Sequence, residues 1–107
     1  MILKPVFAGR DDSDELYILY LEDHDDLQYK PKEHFTREVK PMEQYHLRLP
    51  NGEVHALAPG SQLFTWEDAD HQFMHLKIVS GVWTGQLNGS RADLIEAKII
   101  DRNRDNV

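Results

Sequence analysis

The chain has 107 residues, 40% of them hydrophobic and 29% charged, with a formal net charge of −7 and no cysteine. A chain of this length builds one core, and its composition excludes intrinsic disorder, disulfide frameworks, thiolate zinc sites and cysteine nucleophiles together. The acidity also argues against direct binding of DNA or RNA, whose phosphate backbone demands a basic stripe.

Taken in chain order, ILKPVF and ELYILYLE read as strands joined through GRDDSD. The second is apolar on both faces, as befits a strand in the interior of a sheet. The segment from Asp23 to Pro41 is mostly polar, and Phe35 and Val39, four apart, suggest one short helix over Lys32 to Val39. QYHLRLPNGEVHALAPG then alternates apolar and polar residues on both sides of Asn51-Gly52, the signature of a β-hairpin with a two-residue turn. That turn pairs Leu49 with Val54, Arg48 with His55 and Leu47 with Ala56, and places His46, Arg48 and His55 on one face. Pro59-Gly60 marks the exit turn.

Beyond it, a turn or short helix is expected near Trp66 to Asp70, then a strand from about Gln72 to Val79 and another from Val82 to Leu87. Helix remains the competing reading over residues 66–80. ADLIEAKIID is read as a final strand, with an amphipathic helix capped by Ser90 as its alternative. Neither repeats nor linkers interrupt the chain, so residues 1–107 parse as a single domain. The expected fold is mainly β, a small antiparallel roll or barrel with one or two short helices; the alternative is α+β.

Charge is distributed unevenly. Asp11, Asp12, Asp14, Glu15, Glu22, Asp23, Asp25 and Asp26 bring eight negative charges with no Lys or Arg among them, which leaves the rest of the chain at +1. If Leu16 to Leu21 is one strand, these acids form two clusters roughly 23 Å apart, one at each end of it. Such a surface suits a basic protein partner, because opposite fields speed encounter and favour the right complex.

For the histidines, spacing decides. His71 and His75 reach one zinc ion on a helix, but on a strand four steps span roughly 13 Å and the pair cannot meet. Gln72 occupies the position where an HExxH motif needs glutamate. His46, Arg48 and His55 on one hairpin face form a candidate anion site, in which Arg48 repels a metal. Phosphate loops, GxSxG elbows and calcium loops are absent. No catalytic set and no cofactor is therefore assigned.

The expectation is a small, acidic, non-catalytic binding module of the inhibitor, immunity-protein or antitoxin kind, acting on a basic partner such as a nucleic-acid-processing enzyme or a basic toxin. The alternative is a metal-dependent or anion-binding β-barrel enzyme using clustered histidines. MILKPVF is broken too soon by Lys4 and Pro5 to be a signal peptide, and no apolar run reaches membrane-spanning length. A cytoplasmic setting without membrane contact is expected, and Tyr17, Tyr20, Trp66 and Trp83 are candidates for a homodimer contact.

Overall fold

The structure, a computed structural model, describes residues 3–22, 35–38, 44–67 and 74–105, with 35–38 and 103–105 as backbone alone. Eight strands and one helix follow in order: β1 (Leu3–Arg10), β2 (Leu16–Glu22), β3 (Phe35–Glu38), β4 (Tyr45–Arg48), β5 (Val54–Ala56), β6 (Gln62–Glu67), β7 (Met74–Val79), β8 (Thr84–Gly89) and α1 (Arg91–Asp105). The strands form one antiparallel sheet in the order β3-β6-β7-β8-β1-β2-β4-β5. The fold is mainly β, as the sequence implies. It is an open sheet with β3 and β5 at its edges, and the closed barrel is not formed.

Two halves of the sheet meet at β1 and β8, and small residues make that seam possible. A Cβ on Gly89 would lie 2.5 Å from the Ala8 carbonyl oxygen, and one on Gly9 would lie 3.0 Å from the backbone of Asn88. Glycine at both positions lets the strands approach backbone to backbone.

Alternation along the strands then divides the core in two. Phe7, Leu19, Tyr45, Leu47, Leu63, Leu76, Ile78 and Leu87 form one cluster, so residues of β6, β7 and β8 meet those of β2 and β4 across a sheet that curls over its own inner face. Ala8, Ile18 and Tyr20 face the other way and pack on Ala97 of α1. Strand β2 is thus covered on both sides, which accounts for its unbroken apolar run.

Four expectations are revised. Residues 91–101 are helix: Ser90 and Asp93 make a reciprocal cap, the Asp93 N–H donating to Ser90 Oγ at 3.2 Å and the Ser90 N–H to Asp93 Oδ2 at 3.1 Å. Phe35–Glu38, inside the expected Lys32–Val39 helix, is a strand paired with β6. Trp66 and Glu67 belong to the end of β6, while residues 68–70 lie outside the described residues. The hairpin register is displaced by one: Arg48 pairs with Val54, Leu47 with His55 and His46 with Ala56. Its turn has four residues, with the Gly52 N–H donating to the Leu49 carbonyl at 2.9 Å and Gly52 alone at positive φ, +92°. Pro50 takes the first central position of that turn, which its fixed φ suits, and Gly52 forms the left-handed bulge that follows.

Candidate functional site

Three turns from distant parts of the chain converge at one end of the sheet. The β1–β2 turn repeats the hairpin design. The Asp14 N–H donates to the Asp11 carbonyl at 3.0 Å, the Asp11 N–H to the Glu15 carbonyl at 3.1 Å, and Asp14 sits at φ +61° where glycine would be usual. Aspartate is among the few residues that tolerate this conformation. Asp11 organises the turn by accepting the N–H groups of Ser13 at 2.9 Å and Glu15 at 3.1 Å. The hydrogen bond from Glu15, ahead of all other influences, holds the Asp11 carboxyl below the usual carboxylate range.

Arg10 is the base closest in sequence to this turn, and it points to the helix. Its Nε donates to Asp93 at 3.1 Å and its Nη2 to Glu96 at 2.8 Å, while Nη1 donates to the Asp14 carbonyl at 3.0 Å. The bond to Asp93 raises the Arg10 pKa further. Its nearest approach to the Asp14 carboxylate is 3.9 Å, and that side chain is 89% exposed. Asp12, Asp14 and Glu15 therefore stand outward on the rim.

The β7–β8 turn is tied by Ser80, whose Oγ donates to the Trp83 carbonyl at 2.8 Å and accepts the Trp83 N–H at 3.1 Å. This delivers Val82 and Trp83 to the same end. The indole packs over Gly85, where a Cβ would lie 2.6 Å from the ring, and its centroid is 4.8 Å from that of Tyr17 at 37°. Between the three turns lies an open cleft of about 420 Å³, floored by Tyr17, Leu49, Val82 and Trp83 and walled by Glu15 and the Pro50-Asn51 turn. Burial first, and then the neighbouring Asp11 carboxylate, push the Tyr17 phenol up, and the influence of Trp83 opposes them. A second cleft of about 360 Å³ lies on the helix side, where Arg48 and Glu96 flank Leu16, Ile18 and Ile100. Glu15, Leu49 and Pro50 form the ridge between the two.

The structure gathers only some of the residues that the sequence singles out. Asp11, Asp12, Asp14 and Glu15 share one turn, whereas Asp23, Asp25, Asp26 and His71 lie outside the described residues. Glu22 is buried, its side chain 7% exposed, with Oε1 at 3.5 Å from His46 Nε2, so it is no part of an outward acidic surface.

The anion site of His46, Arg48 and His55 is not assembled. The one-residue register change puts His46 and Arg48 on the helix side with Tyr20 and Ile18, and turns His55 to the opposite face. There its Nε2 lies 3.0 Å from the carboxylate of Glu53. His75 is held elsewhere, stacked on Trp66 at 5.3 Å with Nδ1 at 2.6 Å from Asn88 Oδ1. Among the described residues no three His, Asp or Glu side chains are grouped as a metal site requires.

Tyr20, expected at the surface, is fully buried with its hydroxyl donating to Asp101 at 3.0 Å. Among the described residues no helix is long and apolar enough to cross a membrane. The pairing of Trp83 with Tyr17 carries no sequence signal, since the two residues lie in different halves of the chain and only the β1–β8 seam brings them together.

Comparison with protein families, with characterised proteins and with solved structures returns no match to this chain.

Proposed function

We propose that the chain is a non-catalytic module that binds a basic protein through the turn end of its sheet, as an inhibitor, immunity protein or antitoxin does. The observation that carries this reading is the outward stand of Asp12, Asp14 and Glu15 beside an aromatic cleft, while the adjoining base, Arg10, is occupied by Asp93 and Glu96 on the helix. Carboxylates held outward on a fixed turn project a local negative field that steers a cationic partner and is screened over roughly 8 Å at physiological salt. A preformed hydrophobic cleft beside them supplies the desolvated centre that an interface needs. The absence of cysteine suits work in a reducing compartment such as the cytoplasm.

The test uses an (Arg-Gly)4 peptide as the basic probe and two charge-matched variants. Asp12→Asn, Asp14→Asn and Glu15→Gln together remove three charges at the turn. Gln62→Lys, Gln86→Lys and Ala92→Lys add three positive charges at exposed positions elsewhere. With about 0.5 kcal/mol for each exposed pair, the turn variant loses about tenfold in affinity and becomes less salt-sensitive, while the distal variant changes little. Equal losses in both would mean that only net charge matters, and the reading would fall.

A further inference from the structure

We propose that the cleft between the three turns receives an arginine side chain of the basic partner, its guanidinium against Trp83 and facing the carboxylate of Glu15. The inference rests on the binding-module reading and names the anchor that such a partner must bring.

Complementarity of charge and of hydrogen-bonding type both point to this occupant. The floor is aromatic and aliphatic, so it favours a weakly hydrated, planar cation over a compact, strongly hydrated ammonium. The Tyr17 and Trp83 rings meet at 4.8 Å and both line the cleft. What the pair offers a ligand is ring surface, and Glu15 adds an acceptor.

Glu15 is exposed and makes no ion pair among the described residues; Arg48, in the adjoining cleft, also makes none among them. Among the described residues that line the cleft none is a cation, and a guanidinium brings five N–H donors in a planar fork. Rigid turns hold these groups in advance, which lowers the ordering cost of receiving a side chain.

The Trp66→Phe variant leaves Trp83 as the sole indole, so its emission reads the cleft directly. Titration with N-acetyl-arginine methylamide should give a saturable change, and the isosteric neutral citrulline compound at least fivefold less. Adding Glu15→Gln should weaken the arginine response about threefold, as for an exposed ion pair, and leave the citrulline response unaltered. Equal responses to the two compounds, or no saturable response to arginine, would overturn the proposal.

A second comparison separates this failure from failure of the underlying reading. Binding of (Arg-Gly)4 and (Lys-Gly)4 is measured for the native chain, the neutralised turn variant and Trp83→Leu, the fold of each confirmed by thermal melting. Loss in the turn variant with no arginine preference and no effect of Trp83→Leu rejects the arginine cleft but keeps the acidic module. Indifference to both changes rejects the two together, and preference for arginine that Trp83→Leu abolishes supports both.

Discussion

Replacing Gly89 by alanine tests the seam on which the whole arrangement depends. The added Cβ would stand 2.5 Å from the Ala8 carbonyl oxygen and 2.7 Å from the Phe7 ring. Ordinary contact begins near 3.4 Å, so β8 and β1 must separate by about 0.9 Å where backbone meets backbone. Neither wall is a flexible side-chain end that swings aside cheaply. Overpacking of this kind costs about 1–3 kcal/mol, and the rigid carbonyl places Gly89→Ala at the upper end.

For a domain near 100 residues each kcal/mol lowers the melting temperature by at least about 4 °C, so a fall of about 12 °C is expected by circular dichroism. Gly81→Ala is the control, since a Cβ there meets nothing within 4 Å and φ is not positive. It should change stability by less than about 0.5 kcal/mol. If Gly89→Ala melts within 2 °C of the native protein, the close β1–β8 approach is wrong.

Other consequences are as direct. Ser90→Ala removes the hydroxyl that accepts the Asp93 N–H and should cost about 1 kcal/mol in urea unfolding; no loss would refute the helix cap. Gly52→Ala forces a side chain into φ +92° and should cost about 1–2 kcal/mol, whereas Asp14→Gly at φ +61° should not destabilise; reversed signs would refute the shared turn design. Asp11 ionises more readily when folded, so its contribution is complete above the unfolded carboxylate value of about 3.9 and disappears as pH falls through the lower folded value. The stability gap between the native chain and Asp11→Asn should therefore shrink below about pH 4, and a gap constant from neutral pH to pH 2.5 would contradict the turn geometry.

How far the residues disclosed this architecture depends on where two patterns competed. LYILYLE declared itself, because a strand covered by the core on one side and α1 on the other has no polar face to hide. The hairpin was equally legible, but its register turned on one residue. Asn51-Gly52 suits a two-residue turn, and Pro50 immediately before it shifts the turn back so that only Gly52 is left-handed. One position of slip reverses every side chain, which dispersed the expected cluster of His46, Arg48 and His55.

ADLIEAKIID was ambiguous because isoleucines occur on both faces of the helix. Ile95 and Ile99 are 52% and 54% exposed, which blurs the 3.6-residue period that Leu94, Ala97 and Ile100 would otherwise give. β6 was obscured in the same way by Phe64 and Trp66 on the face opposite Leu63. The carboxylates of the first turn were visible in the sequence, but their aromatic neighbours were not. Tyr17 and Trp83 meet only through the non-local pairing of β1 with β8, which no local pattern encodes.

The central claim, that the turn end is the surface which meets a cation, is tested most directly by amide chemical-shift mapping with the (Arg-Gly)4 peptide at moderate salt. The account predicts that shifts concentrate in residues 11–17, 49–52 and 80–84 and vanish in the neutralised turn variant. Shifts centred on α1 or on the β5 edge, with those three turns unmoved, would contradict it.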